Sequence, residues 1–425
     1  MAQRNPDLNR SSPRWQEAQA ARNADRATLE RMLCASRERT LALLACFESA
    51  LGPHMRVPQA PLFNPPLWEL GHVGWFHEYW TRRNLQRARG VACAPDHPRP
   101  TSLLENADRL YDSSHVPHDS RWDLPLPDID ASRAYLRAVL DSELELLRGS
   151  AEDDASLYFF RLVMLHEDMH GEAAIYMAQA LGVPVSDALC KPNPRQATPA
   201  TRSLRHEAGD WRLGSIDNGF VFDNELAAHA VTLPAFEIDA RAVRWRDYLP
   251  FVEAGGYAQG RWWTPQGCSW LQALARGLPR YLRPAAATPN RPGWEIQRFG
   301  QWMELDLDAP AVHLSYFEAQ AWCRWAGRVL PTEAQWECAA MHEPDFDWGE
   351  VWEWTASTFN PYPGFVAHPY RDYSAPWFAD RPVLRGASLA STPRMAHPRY
   401  RNFFTPERTD IHVGFRSCGP SPDPT

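Results

Sequence analysis

The chain has 425 residues, enough for two or three domains, and its 44% apolar and 23% charged residues give the balance expected of a soluble globular protein. A net charge of −8 argues against a nucleic-acid binder, which would need a basic stripe. No apolar run reaches the roughly 18 residues needed to span a membrane as a helix, and 38 prolines with 19 tryptophans point to long, packed, irregular loops.

In chain order, residues 1–25 are polar and lack the apolar segment of a signal peptide; they are expected to form a flexible tail on a cytoplasmic protein. Residues 26–190 have helical texture. Ala27–Ala50 carries an apolar stripe, and Leu67–Leu85 forms a second helix behind Pro65 and Pro66. Asp130–Leu147 is a third, with Ser132 as its expected N-cap, and Ser156–Leu181 is a fourth, stopped by Gly182 and Pro184. A long loop over 89–129 separates the second helix from the third. Four helices with one long crossover predict a bundle, whose core is a common place for metal ligands. The proline-bearing stretch 191–205 is expected to be a linker. Residues 206–425 change texture. Short strands (Trp211–Gly214, His229–Leu233) alternate with Gly/Pro/Asn turns, and the best helices are Trp245–Ala254 and Tyr316–Ala326. This half predicts a loop-rich α+β domain. The eight cysteines form no CxxC pair and, Cys418 set aside, are expected to be free thiols.

The sharpest chemical signal is His166-Glu167-Asp168-Met169-His170 in the fourth helix. Residues i and i+4 share a helix face, so both imidazoles can reach one ion. His72 on the second helix is the third candidate. Three imidazoles from two helices leave open coordination positions for substrate and O2. The string also fits the HExxH pattern of zinc proteases, so spacing alone leaves iron and zinc open. Glu172 falls about 240° around the helix from His166, at 3.6 residues per turn, and His77 lies five residues beyond His72. Both are off the ligand face.

The strings Leu70-Gly-His-Val-Gly-Trp-Phe-His-Glu78 and His166-Glu-Asp-Met-His-Gly-Glu172 resemble a DinB-type bundle. The strings Phe222-Asp-Asn-Glu225, Gly255-Gly-Tyr257, Leu330-Pro-Thr-Glu-Ala-Gln-Trp-Glu337, Val351-Trp-Glu-Trp-Thr355, Leu384-Arg-Gly-Ala-Ser388 and Gly414-Phe-Arg416 resemble the formylglycine-generating-enzyme fold, a modified C-type-lectin-like domain. Together they resemble the ergothioneine-biosynthesis sulfoxide synthases over nearly the whole chain from about residue 27. The resemblance implies an Fe(2+) enzyme using O2 to join a chalcogen donor to the imidazole of hercynine. It places the iron on His72, His166 and His170, a catalytic proton donor at Tyr370 and a substrate-side phenol at Tyr373, within Pro369-Tyr-Arg-Asp-Tyr-Ser374.

This chain departs from the family pattern at Met169, where a substrate-holding Gln is usual, and at Arg401-Asn402-Phe403-Phe404-Thr-Pro-Glu-Arg408. There Asn402 and Arg408 persist, but an Asp that would pair with the ammonium of γ-glutamylcysteine is Phe404. Burying an ammonium without its partner is costly. The departures therefore point to a neutral, sugar-like donor and to the related selenoneine synthases, which use a selenosugar. Arg121, in the His-rich loop Tyr111–Trp122, is a further candidate for a carboxylate or phosphate. Tyr373, Phe403, Trp352 and Trp354 are candidates for an aromatic cage around the trimethylammonium. The alternatives are a γ-glutamylcysteine- or cysteine-using synthase, a non-catalytic lectin-like binding protein, and a formylglycine-generating enzyme. The last resembles a copper site on a close cysteine pair, but Cys418 has no cysteine partner in Ala396–Asn402.

Overall fold

The structure is a computed structural model describing residues 13–190, 203–216, 218–274, 276–285 and 293–420. Its first half is α-helical: α1 (Pro13–Arg22), α2 (Arg26–Leu51), α3 (Pro66–Trp80), α4 (Ala107–Tyr111), α5 (Ile129–Arg148) and α6 (Asp154–Leu181). The local chemistry explains the ends. Asp25, Asp128 and Asp153 each accept a backbone N–H in the first turn of α2, α5 and α6, stabilising the helix start. Pro66 opens α3, where its missing N–H costs nothing. Gly182 closes α6 at φ 71°. The cap of α5 is therefore Asp128 rather than the expected Ser132, which is buried inside the helix.

Two further expectations are corrected. From Pro13 onward the supposed tail is folded: Trp15, Ala18 and Ala21 are buried, and Arg22 makes a buried two-pronged ion pair with Glu225. The long loop over 89–129 holds α4 and two 3-10 turns, tied down where Arg83 and Trp75 both donate to Asp108. Of the linker expected at 191–205, residues 191–202 lie outside the described residues.

The second half contains β1 (Ser203–His206), β2 (Gly209–Leu213), β3 (His229–Leu233), β4 (Phe236–Asp239), α7 (Trp245–Glu253), α8 (Pro265–Leu274), β5 (Leu282–Pro284), β6 (Trp294–Arg298), β7 (Gln301–Glu304), α9 (Tyr316–Trp325), α10 (Glu333–His342), β8 (Trp352–Thr358), β9 (Pro382–Gly386), β10 (Asn402–Phe403) and β11 (Val413–Phe415). The sheets are small. The central one has the order β10-β9-β8-β11, with β11 parallel to β8 and the other pairs antiparallel. Capping boxes at Ser315/Glu318 and Thr332/Gln335 start α9 and α10. Buried ion pairs replace regular layers as the organiser here: Glu333 takes Arg385 and Arg401, and Glu353 takes Arg416 and the Trp336 indole.

The halves share one apolar core running from α2, α3 and α6 into Trp352, Leu384 and Tyr400. Polar clamps on α6 join them too. Asp168 accepts from Ser36, Thr392 and the Arg394 guanidinium. Glu172 accepts from Tyr176, Trp352 and Ser391. Among the described residues, no helix is long and apolar enough to cross a membrane.

Candidate metal centre

α3 is buried almost all round, packed among α4, α5 and α6, and its glycines lie where α4 and α5 press closest. A Cβ on Gly71 would overlap the Tyr111 ring, and one on Gly74 would come within 2.9 Å of Tyr135. On its α6 side, α3 brings His72 to His166 and His170. Their ring centroids are 5.3 and 4.8 Å apart for the two interhelix pairs and 4.5 Å within α6. One nitrogen from each ring lies within 4.8 Å of the others.

The outer nitrogens fix how the rings present themselves. His72 Nδ1 donates to the Tyr111 carbonyl at 2.8 Å, and His170 Nδ1 faces Glu69 Oε2 at 2.5 Å. Each bond leaves an Nε2 lone pair for the interior. His166 Nε2 lies 3.2 Å from His170 Nε2, while His166 Nδ1 is buried without a hydrogen-bond partner among the described residues. Lone pairs this close repel unless a cation or a proton lies between them, and a metal ion suits three such donors. Burial, helped by the charge of His170, lowers His72 to about 3, and burial likewise holds His166 well below its ordinary value. Both are neutral near pH 7, the form that binds metals. Burial opposes ionisation of Glu69, but His170, His72 and Asn64 outweigh it and hold the carboxyl at about 2.

The surroundings are rigid. Phe76 stacks on His166 at 3.4 Å, and Trp68 stacks on His72 at 4.9 Å. One residue past His166, Glu167 accepts from Arg37 and pairs with His77. His77 also bonds Glu143 at 2.8 Å. Burial opposes its charge, but Glu143 and then Glu167 prevail and raise it to about 9. His77 is thus an ion-pair partner locking the back of α6, and Glu172 points to the other half of the protein. A cavity of about 40 Å³, lined mainly by Leu43, Leu70, Val73, Ala174 and Met177, reaches Glu69 and His170.

The second half supplies the opposite wall. Tyr370 stands edge-on to His166 with centroids 5.9 Å apart and touches Phe76 at 4.8 Å. Burial raises its phenol well above the ordinary value, so it stays protonated. Tyr373 follows at 6.1 Å and shares a hydroxyl hydrogen bond with Tyr400. The loop is pinned by Arg371 on Asp96 and by Ser114 on Asp372.

Other sequence candidates fall differently. Met169 packs against the core. Asn402 turns its side-chain oxygen to the Phe403 N–H, and Phe403 stacks on Phe359 while facing Tyr373 at 5.8 Å. Phe404 covers the face of the Arg408 guanidinium at 4.9 Å, and Asp410 takes its edge with two bonds of 2.6 Å. The polar edge expected to hold a donor at Arg408 is therefore engaged. Arg121 lies 3.9 Å over Trp68 and donates to Asn64 and the Val116 carbonyl, which makes it a brace behind His72. Trp352 and Trp354 are core residues with bonded indoles, leaving Tyr373 and Phe403 of the proposed cage. All eight cysteines are free. Sequence reasoning missed Glu69 and Tyr400. Glu69 was findable: it lies at i−3 from His72, on the same helix face.

Residues 32–178 match the DinB superfamily, and residues 186–349 and 345–418 match the sulfatase-modifying factor enzyme 1-like domain. The chain is 32% identical to the hercynine oxygenase of Mycolicibacterium smegmatis over 92% of its own length and 98% of that protein's. It is also 32% identical to that of Mycobacterium tuberculosis, over 90% and 96%. A formylglycine-generating enzyme of Streptomyces coelicolor is 25% identical over 56% of this chain and 95% of that one.

Proposed function

This chain belongs to the hercynine oxygenase family, and from that premise we propose that it is a non-haem iron(II) enzyme that uses O2 to join selenium from a selenosugar to the imidazole of hercynine. The observation that carries the reading is the convergence of His72, His166 and His170 beneath Tyr370. A ligand-binding module without catalysis would have no use for it.

His72, His166 and His170 would hold the ion. Bound iron(II) would supply the one-electron chemistry that lets O2 react with closed-shell substrates. The protein's own residues do the rest. Tyr111 and Glu69 keep the ring nitrogens turned inward. Phe76, Trp68 and Trp80 line the surroundings with apolar surface and restrict water. Tyr370 holds a proton on its phenol oxygen and can give it to the reacting oxygen species or substrate. Tyr373 and Phe403 offer π faces to the trimethylammonium of hercynine.

The donor assignment draws on Phe404 and Asp410. With Asp410 neutralising Arg408 and Phe404 covering it, this corner offers an amino-acid donor neither a free cation for its carboxylate nor the missing Asp for its ammonium. A hydroxylated, uncharged donor suits it. The test is to load the protein anaerobically with iron(II), then supply O2, hercynine and a selenosugar, γ-glutamylcysteine or cysteine, following products by mass spectrometry. A carbon–selenium adduct from the selenosugar is expected. Reaction with γ-glutamylcysteine alone would overturn the donor, and no product from any donor would overturn the activity.

A further inference from the structure

One face of α3 carries Trp68, His72, Trp75 and Tyr79 at spacings of four, three and four residues, so the side chains form a continuous stripe. Beyond His72 the stripe consists of oxidisable rings. Trp75 stacks against His72 with centroids 5.7 Å apart, and Tyr79 follows Trp75 at 5.0 Å. A second approach meets the same end point: Trp80 is 6.2 Å from Tyr370 and 5.2 Å from Tyr79. Trp75 and Trp80 are buried, whereas Tyr79 is partly exposed. The inward series Tyr370, Tyr373, Tyr400 instead ends at a buried phenol.

We propose that Trp75 and Tyr79 form a relay that carries oxidising equivalents from the metal centre to solvent when O2 reacts without productive coupling. The proposal rests on the iron reading above. In such an event an O2-derived oxidant at the centre takes one electron from the Trp75 indole. The indole sheds its Nε1 proton to water by way of Asp108, which accepts that N–H at 2.7 Å, is bonded twice by Arg83 and is half-exposed. Tyr79 then returns one electron to the indole and loses its phenolic proton to water, while Trp75 recovers a proton from water by way of Asp108. A thiol in solution reduces the Tyr79 phenoxyl by giving it a hydrogen atom, and two thiyl radicals pair as a disulfide.

Charge favours this order. Arg99 lies 4.4 Å from the Tyr79 ring and 5.1 Å from Trp80, and Arg83 lies 5.6 Å from Tyr79. Guanidinium groups beside a ring oppose a radical cation there, so Tyr79 must release its proton to hold the hole. Arg99 likewise makes Trp80 a poorer station than Trp75, whose N–H already has an acceptor in the Arg83-bound Asp108.

The test uses the full chain loaded anaerobically with iron(II), then mixed with air-saturated buffer without hercynine, with and without dithiothreitol. Freeze-quench electron paramagnetic resonance and peptide mass spectrometry locate radicals and oxidised residues. In the wild type, oxidation should concentrate on Tyr79 as hydroxylated or tyrosine–tyrosine cross-linked product, and dithiothreitol should suppress it. In Tyr79→Phe, oxidation should move severalfold toward Trp75 and the peptides carrying His72 and Tyr370; in a separate assay with hercynine and donor supplied, its initial turnover should be unchanged but its activity should decay faster. Trp75→Phe should lower Tyr79 oxidation. Oxidation that needs iron but spares Tyr79, or an unchanged distribution in Tyr79→Phe, would overturn the relay and leave the iron reading standing. A lack of any iron-dependent oxidation, with no iron bound, would overturn both.

Discussion

Replacing Glu69 probes how the ligand set is held. The carboxylate is displaced from its ordinary 4.5 to about 2, which corresponds to about 3 kcal/mol in favour of its ionised form. Burial works against that form, and His170 is the leading favourable partner. The side chain keeps 18% of its surface exposed, so solvent screening makes this figure an upper bound. Loss of an outer hydrogen-bond partner of a metal-bound histidine lowers metal affinity about 10- to 100-fold, or roughly 1.4–2.7 kcal/mol, which lies within that bound. Glu69→Ala is expected to lose iron(II) affinity in this range. Glu69→Gln, which keeps an acceptor but no charge, should lose less. Anaerobic iron(II) titration, read by quenching of the protein's tryptophan emission, measures both. Wild-type affinity in Glu69→Ala would refute the argument that this carboxylate orients His170.

Four further outcomes are expected. Gly71→Ala drives a methyl into the Tyr111 ring; overpacking of about 1–3 kcal/mol should lower the thermal midpoint and, through the Tyr111 carbonyl, weaken iron binding. His77 has a folded pKa of about 9, above its ordinary 6.5, so its stabilisation is complete below pH 6.5 and is lost as pH rises through 9. Urea melts should show up to about 3 kcal/mol of such loss, and His77→Gln should flatten the slope. Tyr370→Phe should bind iron(II) normally but form product roughly 100-fold more slowly, seen in single-turnover mass spectrometry. Phe404→Asp restores a carboxylate beside Arg408, and about 1.5–3 kcal/mol of charge-assisted bonding should lower KM for γ-glutamylcysteine, measured by initial rates.

The two-part architecture was legible because each half has its own signature. The helices announce themselves by apolar periodicity and breakers, and α6 ends at Gly182 as its sequence says. That His166 and His170 share one face was legible because i, i+4 spacing is a local property of one helix. What failed is non-local. Nothing near Pro13–Arg22 reveals that Arg22 finds Glu225 across the chain. Arg121 and Arg408 read as substrate cations because their partners, Asn64 with the Val116 carbonyl and Asp410, compete for them in ways that only folding decides. The α5 cap went to Asp128 because its side chain reaches the Ala131 N–H at the true helix start.

The run from His166 to Glu172 carries a constraint on how this lineage can change. Successive positions address the three-histidine cluster, the bundle interior and the other half of the protein, through His166 and His170, Glu167, and Asp168 with Glu172. Inserting or deleting one residue there would rotate everything downstream by about 100° and misdirect several partners at once. Length variation must accumulate in the connecting loops, and even a gene split between the halves would leave Asp168 and Arg394 obliged to change together.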